Sequence, residues 1–346
     1  MKTIAFVNSE YQQNILFAIC LQEGIKCDIV FIRKNIVVHK AIQEFARDVV
    51  LFDLIPFSWR SITRYYNAYK DIILPHINLR DKYRVFTWTL TDYPVIRLLL
   101  NNLKDKEICL FEDGAGSYHK RGFLNINLGT KDFLVTAVIL IALRGLSRKI
   151  KVRNPKQMTG FSLYPNCFPD YKIINKNIDH KYFQKVVMNY MGADKAVNIK
   201  KGSKIFIQQA YIEQNILNEE EYIKIHAEAL TKIKKLFLND HEEVIWKLHP
   251  WTSIEDESRR VEKISTLTGV DIQVFKERIN VEYLACFNRG NNIKYFSLGS
   301  ASLYVIHALL NDYASVFFIE NKTLEKRVPL LKKIKNHFNS IGIKIV

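Results

Sequence analysis

Three short apolar runs in this chain each stop on a polar, chemistry-bearing group: Ile108–Phe111 on Glu112-Asp113-Gly114, Val244–Leu248 on His249-Pro250, and Tyr295–Leu298 on Gly299-Ser300-Ala301-Ser302. Apolar runs of this length bounded by turn formers read as buried strands. In open α/β sheets the carboxyl end of a strand is where ligands bind, so the pattern sets functional groups along such an edge. Two adjacent carboxylates there can have their pKa values pushed apart, leaving one as a base near neutral pH, although Glu-Asp-Gly is also ordinary turn chemistry. Pro250 ends strand pairing and fixes the backbone just after His249. The serines precede an apolar helix, Leu303–Leu310, and either cap it or use its free N–H groups to hold phosphate.

The rest of the chain fits that frame. Met1–Val7 reads as a first strand, Asn8–Gln13 as a polar loop, Ile15–Gly24 as a helix and Cys27–Arg33 as a second strand, which is a β-α-β unit and therefore a parallel pairing. Further strands are expected at Val49–Phe52, Arg84–Trp88 and Ile108–Phe111, with helices at Trp59–Ile73 and Pro94–Asn102. The Tyr11-Gln12-Gln13-Asn14 loop after the first strand shares the sheet edge with Glu112 and is a candidate acceptor-binding loop, with Gln12 and Asn14 its candidate contacts; an ordinary polar loop is the plain alternative. Asp179–Gly202, polar and lysine-rich, reads as the crossing between halves.

A second α/β half follows. Strands are expected at Lys204–Gln208, Val244–Leu248, Ile272–Phe275, Lys294–Ser297 and Ser315–Ile319. Helices are expected at Glu219–Leu238, introduced by a capping box of Asn218 and Glu221, at Glu255–Thr268, Asn280–Phe287 and Leu324–Phe338. The fold class is therefore α/β: two Rossmann-like domains, 1–195 and 202–346, expected to face each other across a cleft.

A chain of 346 residues with formal net charge +16 attracts an anionic partner. Without a zinc-finger or aromatic RNA-binding pattern, nucleic acid is the weaker choice beside an anionic membrane surface or an acidic ligand. Five cysteines, odd in number and without CxxC spacing, suggest neither a disulfide framework nor a zinc site, so a reducing cytoplasm is expected. The run Met1–Val7, interrupted at once by Asn8-Ser9-Glu10, is too short for a signal peptide. Phe133–Leu143 is well short of the roughly 18 residues a bilayer span needs. With Arg144, Arg148, Lys149, Lys151, Arg153 and Lys156 after it, it reads either as a patch resting on the inner face of an anionic membrane or as a core helix beside a solvated basic loop.

Glu112-Asp113-Gly114, then His249-Pro250, then Ser300-Ala301-Ser302 resembles the signature of the bacterial sialyltransferases, the group that joins the lipooligosaccharide enzymes of glycosyltransferase family 52 and the capsule polysialyltransferases. The spacing, 249 − 112 = 137 residues and then 300 − 249 = 51, puts the first motif in one half and the other two in the second. The resemblance implies a GT-B glycosyltransferase fold and inverting transfer of sialic acid from CMP-sialic acid to a sugar hydroxyl of a surface glycan, with no metal or other cofactor. It implies Glu112 as base with Asp113 as second choice, and His249 as the acid facing the CMP phosphate. Ser300 and Ser302, with Gly299 and Pro250 around them, would hold the phosphate. Glu282 matches the family's ribose-gripping glutamate, with Glu277 as alternative, and Gln208-Gln209 corresponds to a donor-side loop, Gln209 its candidate contact. The serine motif departs from the family's adjacent hydroxyls. Transfer of another nonulosonic acid or sugar, or non-catalytic binding of an anionic polymer, are the alternatives; acceptor, linkage and oligomeric state stay open.

Overall fold

The computed structural model of the chain describes residues 1–53, 55, 61–90, 93–118, 158–169, 173–190, 197–310 and 315–346. The chain forms two compact units, Met1–Val186 and Val187–Val346. The run Phe133–Leu143 and the cationic residues after it lie outside the described residues, as do the first residues of the helix expected from Trp59. Among the described residues no helix is long and apolar enough to cross a membrane.

The first unit holds seven strands: β1 (Lys2–Val7), β2 (Cys27–Arg33), β3 (Ala46–Phe52), β4 (Lys82–Thr87), β5 (Asp105–Phe111), β6 (Met158–Ser162) and β7 (Ile174–Asn177). They form one sheet in the order β3-β2-β1-β4-β5-β6-β7, parallel at every pairing. Its helices are α1 (Glu10–Glu23), α2 (Ile42–Phe45), α3 (Ile62–Ala68) and α4 (Pro94–Asn102), and α5 (His180–Tyr190) carries the chain across the boundary at Val186. Parallel strands need a crossover between them, and helices that cover both faces bury both, which is why β1 is apolar from Ile4 to Val7 instead of alternating.

Two expectations need correction here. The polar loop expected at Asn8–Gln13 is only the turn before α1: Ser9 caps that helix, its side chain accepting from the Gln12 amide, and the helix already runs at Glu10. Gln12 and Asn14 are therefore helical residues, and the sequence does carry the cause, a serine with glutamine three positions on. The crossing expected at Asp179–Gly202 does hold the boundary between the units, but it is not polar throughout: it contains α5, which buries Phe183, Val186 and Val187 and keeps its lysines and its asparagine on the other face.

The second unit holds β8 (Lys204–Ile207), β9 (Val244–Lys247), β10 (Ile272–Phe275), β11 (Lys294–Ser297), β12 (Val316–Phe318) and β13 (Lys344–Ile345). The helices between them are α6 (Glu219–Phe237), α7 (Ile254–Thr268), α8 (Val281–Phe287), α9 (Ser302–Leu310), α10 (Lys322–Arg327) and α11 (Leu330–Ser340). The sheet order is β10-β9-β8-β11-β12-β13, again all parallel. α6 opens on the expected capping box of Asn218 and Glu221. The single basic helix expected over Leu324–Phe338 is two, because Pro329 has no N–H to give and its ring disfavours helix in the residue before it.

Counted outward from its first strand, each sheet has the same arrangement, and each reverses direction beside that strand: between β1 and β4 in one unit and between β8 and β11 in the other. Such a reversal opens a crevice at the carboxyl ends of the strands, the place where doubly wound sheets take ligands.

Candidate functional site

In the first unit, β5 delivers Glu112 to its carboxyl end, and the structure buries that carboxylate completely, at 0% exposure. A buried charge needs donors. Those on Glu112 include the Tyr11 hydroxyl on Oε1, the Tyr118 hydroxyl on Oε2, and the Leu163 amide on Oε2 at 3.0 Å. Tyr11 comes from the first turn of α1, Tyr118 from the turn after the acidic motif, and Leu163 from the end of β6. Tyr118 is itself fixed, its hydroxyl accepting from the Tyr164 amide at 3.1 Å.

Asp113 is half-buried. Gln12 Nε2 donates to its Oδ1, while Gln12 Oε1 accepts from the Asn8 amide at 2.6 Å. The Asp113 amide donates to Ser117 Oγ at 2.8 Å. Gly114, at φ 93°, supplies the left-handed turn that lets the chain fold back so closely, a conformation that favours glycine. Gln12 thus joins the acidic motif, whereas Asn14 lies 1% exposed farther along α1.

In the second unit, β9 ends at Leu248-His249-Pro250. Buried Gln208, just past β8, accepts the His249 amide on Oε1 at 2.7 Å and donates from Nε2 to Thr252 at 3.1 Å, tying two neighbouring strand ends together. The His249 ring is half-buried. Its Nδ1 accepts the Trp251 amide at 3.3 Å, which selects the tautomer with the proton on Nε2 and leaves Nε2–H to face a ligand. Desolvation lowers its pKa, Glu213 opposes that, and Lys247 adds to it. Arg278 clasps the same loop from outside, donating to the carbonyls of Pro250 at 2.6 Å and Thr252 at 3.1 Å. Beside His249 stands Trp251, 69% exposed, its ring edge-on to the imidazole at 5.4 Å.

Lys247 is buried, and desolvation brings its pKa down to about 8, with Glu282 acting the other way. Glu282, in the first turn of α8, is capped at its amide by Asn280. Burial raises its carboxyl above the usual range, while a hydrogen bond from Ser302 and the Lys247 charge pull it back. Glu282, Ser302 and Lys247 are thus brought together. Ser300 is buried, and its hydroxyl caps the helix by accepting the Ser302 amide at 3.2 Å. The Gly299 and Ser300 amides both point at Ser297 Oγ, at 3.3 and 3.1 Å. Gln209 is half-buried, its amide turned back onto the Gln208 carbonyl at 3.3 Å, so Gln208 holds the loop and Gln209 is the more accessible of the two. Among the described residues no three of His, Cys, Asp or Glu gather where they could hold a metal ion.

Sequence reasoning singled out the acidic pair, the loop that holds Tyr11, His249, Glu282 and the serines, but not Tyr118, Lys247, Trp251 and Arg278, which the structure sets beside them. Only Trp251 left a signal, an aromatic directly after His249-Pro250.

A family model described as Alpha-2,8-polysialyltransferase (POLYST) matches residues 33–281, a stretch that contains both Glu112-Asp113-Gly114 and His249-Pro250 and ends just before Glu282. No curated protein matches the chain by sequence. Among solved structures, a protein described as a UDP-N-acetylglucosamine 2-epimerase from Listeria monocytogenes is similar in fold, with TM-score 0.51 and 12% identity, over 96% of this chain and 82% of that one. A co-structure of S. aureus MnaA with UDP gives TM-score 0.43 and 12% identity over 99% and 97% of the two chains. The two parallel-sheet α/β units are the composition of the GT-B fold.

Proposed function

We propose, from the premise that the chain belongs to the alpha-2,8-polysialyltransferase family, that this sialyltransferase moves sialic acid from CMP-sialic acid to a hydroxyl of a bacterial surface glycan, with inversion and without a metal. The observation that carries the reading is that the family match spans the acidic and His-Pro motifs together. In the displacement, the acceptor oxygen bonds to the anomeric carbon as the bond to the CMP phosphate breaks; the hydroxyl proton passes to a carboxylate, and the departing phosphate takes a proton or a hydrogen bond from His249.

The surroundings of His249 suit that role. The Nε2–H tautomer presents a hydrogen-bond donor toward the departing phosphate. The second unit would be the donor side, with Glu282 toward the ribose and the Ser300–Ser302 turn toward the phosphate, and the first unit the acceptor side. By family position the base is Glu112, the acceptor hydroxyl replacing Tyr11 as partner of Oε1. A second reading has a specific observation behind it: Asp113 is half-buried where Glu112 is fully enclosed, so Asp113 is the more accessible of the two carboxylates. Enzyme action at the inner face of the cell membrane, through the cationic run after Phe133–Leu143, belongs to the same proposal.

A panel of nucleotides and nucleotide sugars tests the donor. Because a ligand that binds only the folded state raises the melting temperature by mass action, CMP and CMP-sialic acid should raise it, and CMP should be released slowly from CMP-sialic acid even without acceptor. Response to UDP-sugars alone would overturn the donor assignment. Binding to DNA that weakens with salt, without CMP release, would favour a polymer binder.

A further inference from the structure

Tyr211 stands on the loop after β8, the strand that borders the reversal in the second sheet. Its backbone is tied down: the amide donates to Gln209 O at 2.9 Å, and the carbonyl accepts from Ile216 and Leu217 at 2.9 and 3.2 Å. Its ring is 4% exposed and belongs to the apolar core that contains Leu298 and Leu331. Its hydroxyl is buried and has no hydrogen-bond partner among the described residues. A buried hydroxyl without a partner destabilises a fold, and phenylalanine would give the same packing without that cost.

Where the hydroxyl sits explains what it is placed for. A Cβ added at Gly299 would stand 2.6 Å from the Tyr211 oxygen and 2.6 Å from Leu331 Cδ2, so the hydroxyl occupies the space a side chain at 299 would need. Gly299 begins the turn into α9, just past β11, the other strand that borders the reversal. Three amides of that turn are already engaged, Gly299 and Ser300 with Ser297 Oγ and Ser302 with Ser300 Oγ. The Ser302 hydroxyl is drawn to Glu282. An anion arriving at this helix terminus therefore meets in the Tyr211 hydroxyl a donor that no described residue engages.

We propose that the Tyr211 hydroxyl donates a hydrogen bond to a phosphoryl oxygen of the nucleotide donor at the Gly299–Ser302 turn. The assignment rests on the CMP-donor reading above and adds to it a binding residue that no motif marks. Burial raises the phenol pKa, so the hydroxyl keeps its proton at any pH the enzyme works at.

The test compares wild type with Tyr211→Phe by calorimetric titration of CMP and of cytidine, and by melting without ligand. Wild type should bind CMP more tightly than cytidine. The variant should lose about tenfold in CMP affinity, keep its affinity for cytidine, and melt about 2–4 °C higher when empty. Unchanged CMP affinity in a variant that melts normally or higher makes Tyr211 a packing residue and overturns the inference while leaving the donor reading intact. Equal losses for CMP and cytidine place the contact on the nucleoside and overturn the phosphoryl assignment. A wild type that binds neither removes the donor reading itself, and this inference with it.

Discussion

Glu112 and His249 differ in how far their surroundings already commit them. Glu112 is fully enclosed, with Tyr11, Tyr118 and the Leu163 amide donating to it, whereas His249 is held by its backbone and Nδ1 with Nε2 left to act. His249→Ala should therefore lower turnover by roughly 10² to 10⁴ while changing CMP affinity less than about tenfold, since a general acid acts mainly on the transition state. Glu112→Gln separates the two carboxylates. If Glu112 is the base, transfer collapses and CMP binding stays; if it is an anchor for Tyr11, Tyr118 and Leu163, the variant loses stability and Asp113→Asn is the substitution that stops transfer. Measuring transfer, CMP affinity and melting for both variants decides between them. The motif residues were legible in the sequence because each motif is contiguous. Their partners were not: Tyr11 is 101 positions from Glu112, and Gln208 is 41 from His249, distances only the folded sheet closes.

At the scale of elements, the strand ends are where sequence and structure agree best, because an apolar run interrupted by Glu-Asp-Gly or His-Pro has no other way to stop. Element starts were harder where side chains mislead. Tyr11-Gln12-Gln13 looks polar enough for a loop, yet Gln12 and Gln13 are both fully buried, their amides used on Asp113, Asn8 and Val37. Polarity there marks hydrogen bonding inside the fold, not exposure. The turn into α9 offers a test at this scale. Gly299→Ala sets a methyl against Tyr211 and Leu331, both core residues with little room to move, and overpacking of this kind costs about 1–3 kcal/mol. The variant should unfold at lower denaturant and bind CMP more weakly. Unaltered unfolding would show that the turn yields more easily than its packing implies.

Across the molecule, the second unit has a built-in sensitivity to acid. His226 on α6 is fully buried, its Nδ1 donating to the Tyr222 carbonyl at 2.8 Å and its Nε2 left without a partner among the described residues. Desolvation lowers its pKa from 6.5 to about 4. The folded state thus binds its proton less readily than the unfolded one, so its contribution is intact above pH 6.5 and is lost as pH falls toward 4, by about 2 kcal/mol at pH 5. Glu257, raised by burial, works in the opposite sense nearer its own range. Denaturant unfolding of wild type and His226→Leu at pH 7.5 and 5 checks this: the variant should lose less stability on acidification, and parallel losses would place the sensitivity elsewhere. The margins of the two sheets carry a different consequence. One border of the first sheet, β7, is Ile174-Asn175-Lys176-Asn177, exposed at every position, with Lys176 paired to Glu23, and one border of the second, β13, is only two residues long. A charged or very short outer strand is a poor template for another chain. A protein with two open parallel sheets can therefore accumulate in a crowded cell, because at these borders its own architecture offers a neighbouring molecule almost nothing to zip onto.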